Sequence, residues 1–514
     1  MRGRGLAICV TAAAMTAGAA TWLALALPGS STTPAAAPPG LASAGAGPAS
    51  PPVRVCGNSR ILGGGPASPP SGAVVIPAGD DSGSVLAHNW SMRPDTTYWF
   101  APGRHTLGSG QYSQIIPAHG DTFIGAPGAI LDGQHQNLYA FTQQASQVTI
   151  RYLTIQDFGA HGDNGGQGVV NHDEGTGWRI DHVTLQGDAG AGVMLGSSNV
   201  LAYSCLKDNG EYGFQGGGTD ITVDHNEIVG NNADNWEARQ SGCGCSGGAK
   251  FWGVNGAVIT SNYVHDNLGP GLWADTNNRG FDVENNYISG NLGEGFIYEI
   301  SYNLRLAKNT FVRNALVAGP RLGGFPDPAV YISESGADSR VPGPYGNTLA
   351  ITDNTFTDNW SGVVLWENAD RYCGSPANTS TGECTLVDPK MVTTGSCDAA
   401  NLAHAPYYGD CRWKTQNVLV SGNDFTLDPA SIGADCTPAR YCGFNGIFSQ
   451  WGSWSPYHGT VIENRITFNQ NNHFESNVYR GPWQFVVQQQ GNAVDWSTWR
   501  GKPYAQDAGS VMSG

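Results

Sequence analysis

The chain alternates short apolar runs with Asn- and Gly-rich corners, and the runs carry no helical stripe. A typical unit begins with an alternating run, Phe281-Asp282-Val283-Glu284-Asn285. A turn with Asn follows, then the apolar pair Tyr287-Ile288, then Asn and Gly, then a second run, Gly295-Phe296-Ile297-Tyr298-Glu299. Each first run ends in an Asn that is answered by another Asn five residues later. The pairs are Asn226/Asn231, Asn262/Asn267, Asn286/Asn291, Asn309/Asn314, Asn354/Asn359 and Asn464/Asn469. Ser204/Asn209 and Asn423/Asp428 are weaker members. The tightest intervals are 22, 24 and 23 residues, so the pattern predicts a solenoid of stacked strands. Gly and Asn suit the left-handed backbone of tight corners, and stacked Asn side chains can bond along the axis as a ladder. Leucine-rich repeats share the period but need a Leu/Asn consensus and a helical segment, and propeller blades need longer periods.

About ten coils are expected between Val148 and Gln490. Extended pieces between Val74 and Gly133, such as Tyr98-Trp99-Phe100 and Ala129-Ile130-Leu131-Asp132-Gly133, predict an N-terminal cap and first coils. The segment WSTWRGKPYAQDAGS, from Trp496 to Ser510, predicts the opposite cap, because a solenoid must cover its terminal strand edges. The repeat resembles the right-handed parallel β-helix superfamily that includes pectate lyases, polygalacturonases and related bacterial secreted proteins. That resemblance spans roughly residues 74–510 and implies an all-β, single-stranded right-handed parallel β-helix. It is specific for fold and not for reaction, since the superfamily holds lyases, hydrolases, epimerases, esterases and non-catalytic adhesins.

Aligning the second run of successive coils on its opening residue (Gly248, Gly271, Gly295, Ala329, Gly362) separates two faces. One residue on stand Ala249, Leu272, Phe296, Val330 and Val363; three on stand Phe251, Ala274, Tyr298, Ile332 and Leu365. These apolar rows point inward, so alternation sends the intervening rows outward. The outward rows are Lys250, Trp273, Ile297, Tyr331, Val364 and Trp252, Asp275, Glu299, Ser333, Trp366, with Glu334 and Glu367 one step beyond. Coils lie about 4.8 Å apart, so Asp275 is expected beside Glu299, and Glu334 beside Glu367.

Residues 233–247, 315–328, 335–347 and 368–415 are inserted at the ends of these runs. Long loops there would wall a cleft over the carboxylates, with a floor left open between Asn262 and Asn309. Close carboxylates cannot both ionise freely, so one becomes an acid, as glycoside hydrolysis requires. A separation of about 5–5.5 Å suits retention and about 6.5–9.5 Å inversion; coil spacing favours the first range. The candidate catalytic residues are therefore Asp275, Glu299, Glu334 and Glu367. Lys250, Trp252, Trp273, Tyr331, Trp366 and His265 are the candidate substrate-binding residues, the aromatic rings by stacking on sugars. The bland reading is that such carboxylates are simply solvated, that Lys250 only neutralises Asp275, and that His265 is a satisfied corner residue. No cofactor is expected, with calcium as the alternative occupant of the acidic positions.

Composition narrows the class. The formal charge is −16, with 26 basic and 42 acidic residues, which sets aside nucleic acid as a partner. Residues 1–28 begin with Arg2 and Arg4 and continue into an apolar run, which reads as a secretory signal or an uncleaved signal anchor. Residues 29–55 read as an Ala/Pro/Gly/Ser-rich linker, 56–145 as N-terminal cap and first coils, 146–490 as the coil body and 491–514 as the C-terminal cap. Of eleven cysteines, short loops pair Cys373 with Cys384, Cys397 with Cys411, and Cys436 with Cys442. Cys56, Cys205, Cys243 and Cys245 are left open. A secreted monomer that binds a polysaccharide is expected, in contact with a membrane only if the signal stays attached. Three functions remain: a glycoside hydrolase first, then a lyase or epimerase acting on uronates, then a non-catalytic glycan-binding or adhesion solenoid.

Overall fold

The computed structural model describes residues 50–514 except 80–85, 87–92, 161–167, 241–243, 245–246, 342, 345–346, 377–391, 394, 399, 402–403, 406 and 451–452. The expected signal segment, Cys243, Cys245 and the Cys384 end of one expected disulfide lie outside the described residues.

Three long sheets of 13, 13 and 11 strands run along one axis, and each coil contributes a strand to each sheet in turn. Pairing between coils is parallel throughout, apart from Ala493–Val494, which runs antiparallel to Gln484–Gln489 at the C-terminal end. The extended pieces between residues 74 and 133 join these same sheets as the first coils.

The corners explain the repeat. In the first ladder, Asn262 donates its backbone N–H and its side-chain amide to Asn286 Oδ1, both at 2.9 Å, and Asn286 does the same to Asn309. Ser204 and Asn423 belong to this ladder. The second runs from Asn209 through Asn231, Asn267, Asn291 and Asn314 to Asn359. Two expected members fall out. Asn464 ends a short helix, Val461–Asn464, and Asn469 closes the helical turn after it, while Asn477 continues the first ladder from Asn423. Asp428 instead caps the helix Pro429–Ile432 through Ala430 N–H. The left-handed residue sits just before the ladder Asn and need not be Gly: His225, Asn285 and Lys308 have φ of 55°, 58° and 55°. The stacked side-chain bonds hold these residues in that conformation.

The interior is filled by rows of identical position. Phe311, Phe356, Phe425 and Tyr479 stack ring on ring at 5.0, 4.5 and 4.9 Å. At the far end Asp507 accepts from Tyr479 Oη, Trp499 Nε1 and Ser510 Oγ, and Val511–Ser513 pairs onto Val478–Arg480 as the last strand. Arg54 and Val55, expected in the linker, are docked on the flank of the coil, against the sixth strand of a 13-stranded sheet. Glu227 accepts from Val55 N–H, Cys56 N–H and Arg54 Nε, and Cys56 is disulfide-bonded to Cys205. Cys397–Cys411 and Cys436–Cys442 are also bonded, as loop spacing predicts. No described helix is long and apolar enough to cross a membrane.

Candidate functional site

The second runs form the 11-stranded sheet, and its register follows the row alignment. Ala249 pairs with Leu272, Leu272 with Phe296, Phe296 with Val330, and Val330 with Val363. The outward row therefore reads Lys250, Trp273, Ile297, Tyr331, Val364 in the structure as well. The inserted loops cover this face more fully than an open floor implies: Lys250, Asp275, Glu299 and Glu334 retain 7, 9, 9 and 0% exposure.

Asp275 follows the strand Leu272–Ala274 and is held by three donors. Lys250 Nζ stands 2.9 Å from its Oδ2, and the Thr276 N–H and Oγ1 reach its Oδ1 at 2.7 and 2.9 Å. Burial pushes this carboxyl up, but the Lys250 ammonium and the Thr276 hydrogen bonds outweigh burial and leave it lowered. The same ammonium donates to Gly244 O at 2.8 Å and lies over the Trp273 ring at 3.9 Å.

Glu299, at the end of the strand Phe296–Glu299, is treated oppositely. Burial raises its carboxyl, and the charge of Asp275 adds to that, against lowering by Arg371, Lys250 and the Trp273 indole. Arg371 Nη2 lies 2.7 Å from Glu299 Oε1, and Trp273 Nε1 donates to Oε2 at 3.2 Å. Arg371 also faces Glu334, with Nε 3.7 Å from Oε2. Glu334 has φ 45°, which turns its carboxyl back toward the cleft, where Ser333 Oγ and Asn368 N–H donate to it. Burial is the main cause that pushes Glu334 up to about 7.

Glu367 does not join this group, and the expected Glu334–Glu367 pair is not formed. The strand Val363–Asn368 stays extended, so alternation places Glu367 on the side of inward-facing Leu365. There it is fully buried against Arg412, with Thr415 N–H and Gln470 Nε2 as further donors. His265 is likewise elsewhere: it lies on the neighbouring sheet, bonded to Glu227 at 3.1 Å and Asp266 at 2.7 Å and stacked on Tyr263. Tyr331 and Trp366 do face the expected side, but the 315–328 loop lays Phe325 on both, leaving 7 and 3% exposure. Trp252 and Trp273 remain half-buried and are the open rings of the expected set.

Four groups have no signal in the periodic rows. Arg371 arises from the 368–415 insertion, beside the strand-like bridge between Tyr372 and Arg412. Glu211 is nearly buried, its Oε2 meets no donor, and burial pushes it up to about 8 despite the charge of Lys250. Asp327 is fully buried, its oxygens meet no N–H or hydroxyl donor, and its neighbour is the Glu294 carboxyl. Burial and the Glu294 charge push Asp327 up, while burial and the charge of Glu299 raise Glu294 against a hydrogen bond with Asp327. Among the described residues, no group of three or more His, Cys, Asp or Glu is arranged to hold a metal ion.

A family model described as a right handed beta helix region matches residues 167–343. No curated protein matches the chain. Among solved structures, a mannuronan C-5 epimerase A-module from Azotobacter vinelandii is 13% identical, with 84% of this chain and 94% of that one covered at a TM-score of 0.36. The catalytic unit of a GH87 α-1,3-glucanase from Streptomyces thermodiastaticus is 15% identical, with 84 and 72% covered at 0.45. Such likeness carries no inference about reaction or substrate. The parallel three-sheet coil and the matched region identify the chain as a right-handed parallel β-helix protein.

Proposed function

We propose that the protein is a glycoside hydrolase that cleaves a polysaccharide, with Asp275 and Glu299 as its catalytic pair. The observation that carries this reading is the opposite treatment of two neighbouring carboxyls. Lys250 and Thr276 keep Asp275 ionised, while burial and Asp275 itself favour the protonated form of Glu299. That is the division of labour an acid and its partner carboxylate need. Glu299 gives its proton to the glycosidic oxygen as the bond to the anomeric carbon breaks. Asp275 either takes a proton from the water that adds to that carbon or bonds to the carbon first, and product stereochemistry tells these apart. Arg371 positions Glu299 and Glu334, and Trp252 and Trp273 offer rings for sugar contact. Glu367 serves the fold through Arg412. The disulfides fit an oxidising compartment, in keeping with a secreted protein.

A second reading, a lyase or epimerase acting on uronates, draws on Lys250 and Arg371, two cations in the cleft that suit a uronate carboxylate. A screen of the purified protein on neutral and acidic polysaccharides separates the readings. New reducing ends without an ultraviolet-absorbing unsaturated product support hydrolysis, and an unsaturated product supports a lyase. Converted uronate residues in an uncut chain support an epimerase, and binding with no chemical change supports the adhesion reading.

A further inference from the structure

Past Glu334 the same edge of the 11-stranded sheet continues toward the C-terminal coils. Asp370 lies just beyond the strand Val363–Asn368 and is nearly buried. Its carboxylate accepts the backbone N–H groups of Ser453, Trp454 and Ser455, at 2.7, 2.6 and 2.6 Å. These residues follow the strand Phe444–Gln450, one coil further along. The residue after Asp370 is Arg371, whose guanidinium reaches Glu299. One short segment thus anchors both the cation of the floor and the loop that carries Trp454.

Trp454 is 54% exposed, and no other described tryptophan is as open. Three charge-assisted hydrogen bonds order this loop, yet its largest side chain gains little burial in return. Such an arrangement presents a rigid, flat apolar face to something outside the chain. Three coil steps separate the strand of Glu299 from the strand preceding Trp454. At about 4.8 Å per coil that is roughly 14 Å along the axis. A molecule that touches both must be an extended chain rather than a single sugar or a disaccharide.

We propose that Trp454 is a sugar-stacking platform that binds a pyranose ring of a polysaccharide several units from the bond cleaved at Glu299. This rests on the hydrolase reading for its ligand class, and Trp454 then sets a preference for long substrates.

The test uses the full chain, with binding measured separately from turnover on dextran, laminarin, xylan, galactomannan and alginate and on size-fractionated oligosaccharides from each. Trp454→Ala is expected to weaken binding of long chains roughly three- to tenfold, and to raise KM for them by a similar factor with kcat little changed. Disaccharide binding should stay as in the parent, and Trp454→Phe should restore most of the loss. Equal binding by parent and Trp454→Ala at every chain length, with turnover intact, overturns the platform and leaves the hydrolase reading standing. Length-dependent loss of binding in a protein that hydrolyses nothing supports the platform and overturns the hydrolase. A parent that binds none of these glycans overturns both.

Discussion

Asp275 and Glu299 stand on neighbouring coils, and what separates their chemistry is who faces each. The proposed hydrolysis needs Asp275 ionised and Glu299 protonated. The rate should therefore rise on the acid side below the ordinary carboxylate range and fall on the basic side above it, a bell that a pH–kcat profile reads directly. Stability carries a separate signature. Burial raises Glu211 and Glu334 to about 8 and about 7 from an ordinary 4.5, so the folded chain holds protons that the unfolded chain releases. Their contribution is complete below the ordinary carboxylate value and is lost as pH rises through about 7 to 8. Glu211→Gln should accordingly shrink the drop in Tm between about pH 5 and about pH 9, and an unchanged drop would remove Glu211 as a cause. Glu227 behaves in the opposite sense. Burial raises it, but His265, Cys56 N–H, Arg54 and Val55 N–H outweigh that and lower it to about 2. Its stabilisation is present above the ordinary carboxylate value and is lost as pH falls toward 2, and it amounts to on the order of 3 kcal/mol. Glu227→Gln should lower the stability measured by denaturant unfolding at neutral pH by a substantial part of that amount.

The ladders and the insertions divide what a sequence can reveal about the elements. Asn286 is legible because each coil repeats its surroundings: it accepts from Asn262, donates to Asn309 and to Ile259 O, and has counterparts on either side. Asn286→Ala strands the backbone N–H of Asn262 and the carbonyl of Ile259, which should cost about 2–4 kcal/mol in denaturant unfolding. A loss of a few tenths would mean that the ladder contributes little. The Asn464/Asn469 pair shows the limit, since spacing alone does not tell what an Asn bonds to. The register of the 11-stranded sheet was readable from apolar alternation, and with it the placement of Lys250, Asp275 and Glu299. Arg371, Phe325, Asp327 and the Gly244 carbonyl were not, because they belong to insertions that obey no period. They decide how buried the site is and which carboxyls are raised or lowered from their ordinary range. Glu367 departs from the expected row for a simpler reason: its strand stays extended two residues beyond the point where that of Glu334 ends.

At the scale of the whole molecule, a parallel coil concentrates chemistry along one face and leaves two raw ends. The C-terminal end is closed by Trp499 stacked on Phe485 at 4.6 Å and by the strand Val511–Ser513. Removing residues 495–514 should expose Tyr479, Phe485 and the edge of Val478–Arg480, and size-exclusion chromatography should then show association into large species. A truncated chain that stays monomeric and folded would mean that the coil needs no such cover. The N-terminal segment is pinned along the flank instead: Cys56–Cys205 and Glu227 fix it to the fifth and sixth strands of a 13-stranded sheet, a different sheet from that of the cleft. Between these ends the inserted loops add to a repetitive floor, where two cations, Lys250 and Arg371, flank the carboxyls of Asp275, Glu299 and Glu334. The most direct test of that site is the turnover of Glu299→Gln on whichever polysaccharide the parent degrades. A loss of about 10²–10⁴-fold in kcat with substrate binding retained is the predicted result. Full activity in Glu299→Gln would contradict the assignment of the acid and, with it, the catalytic pair.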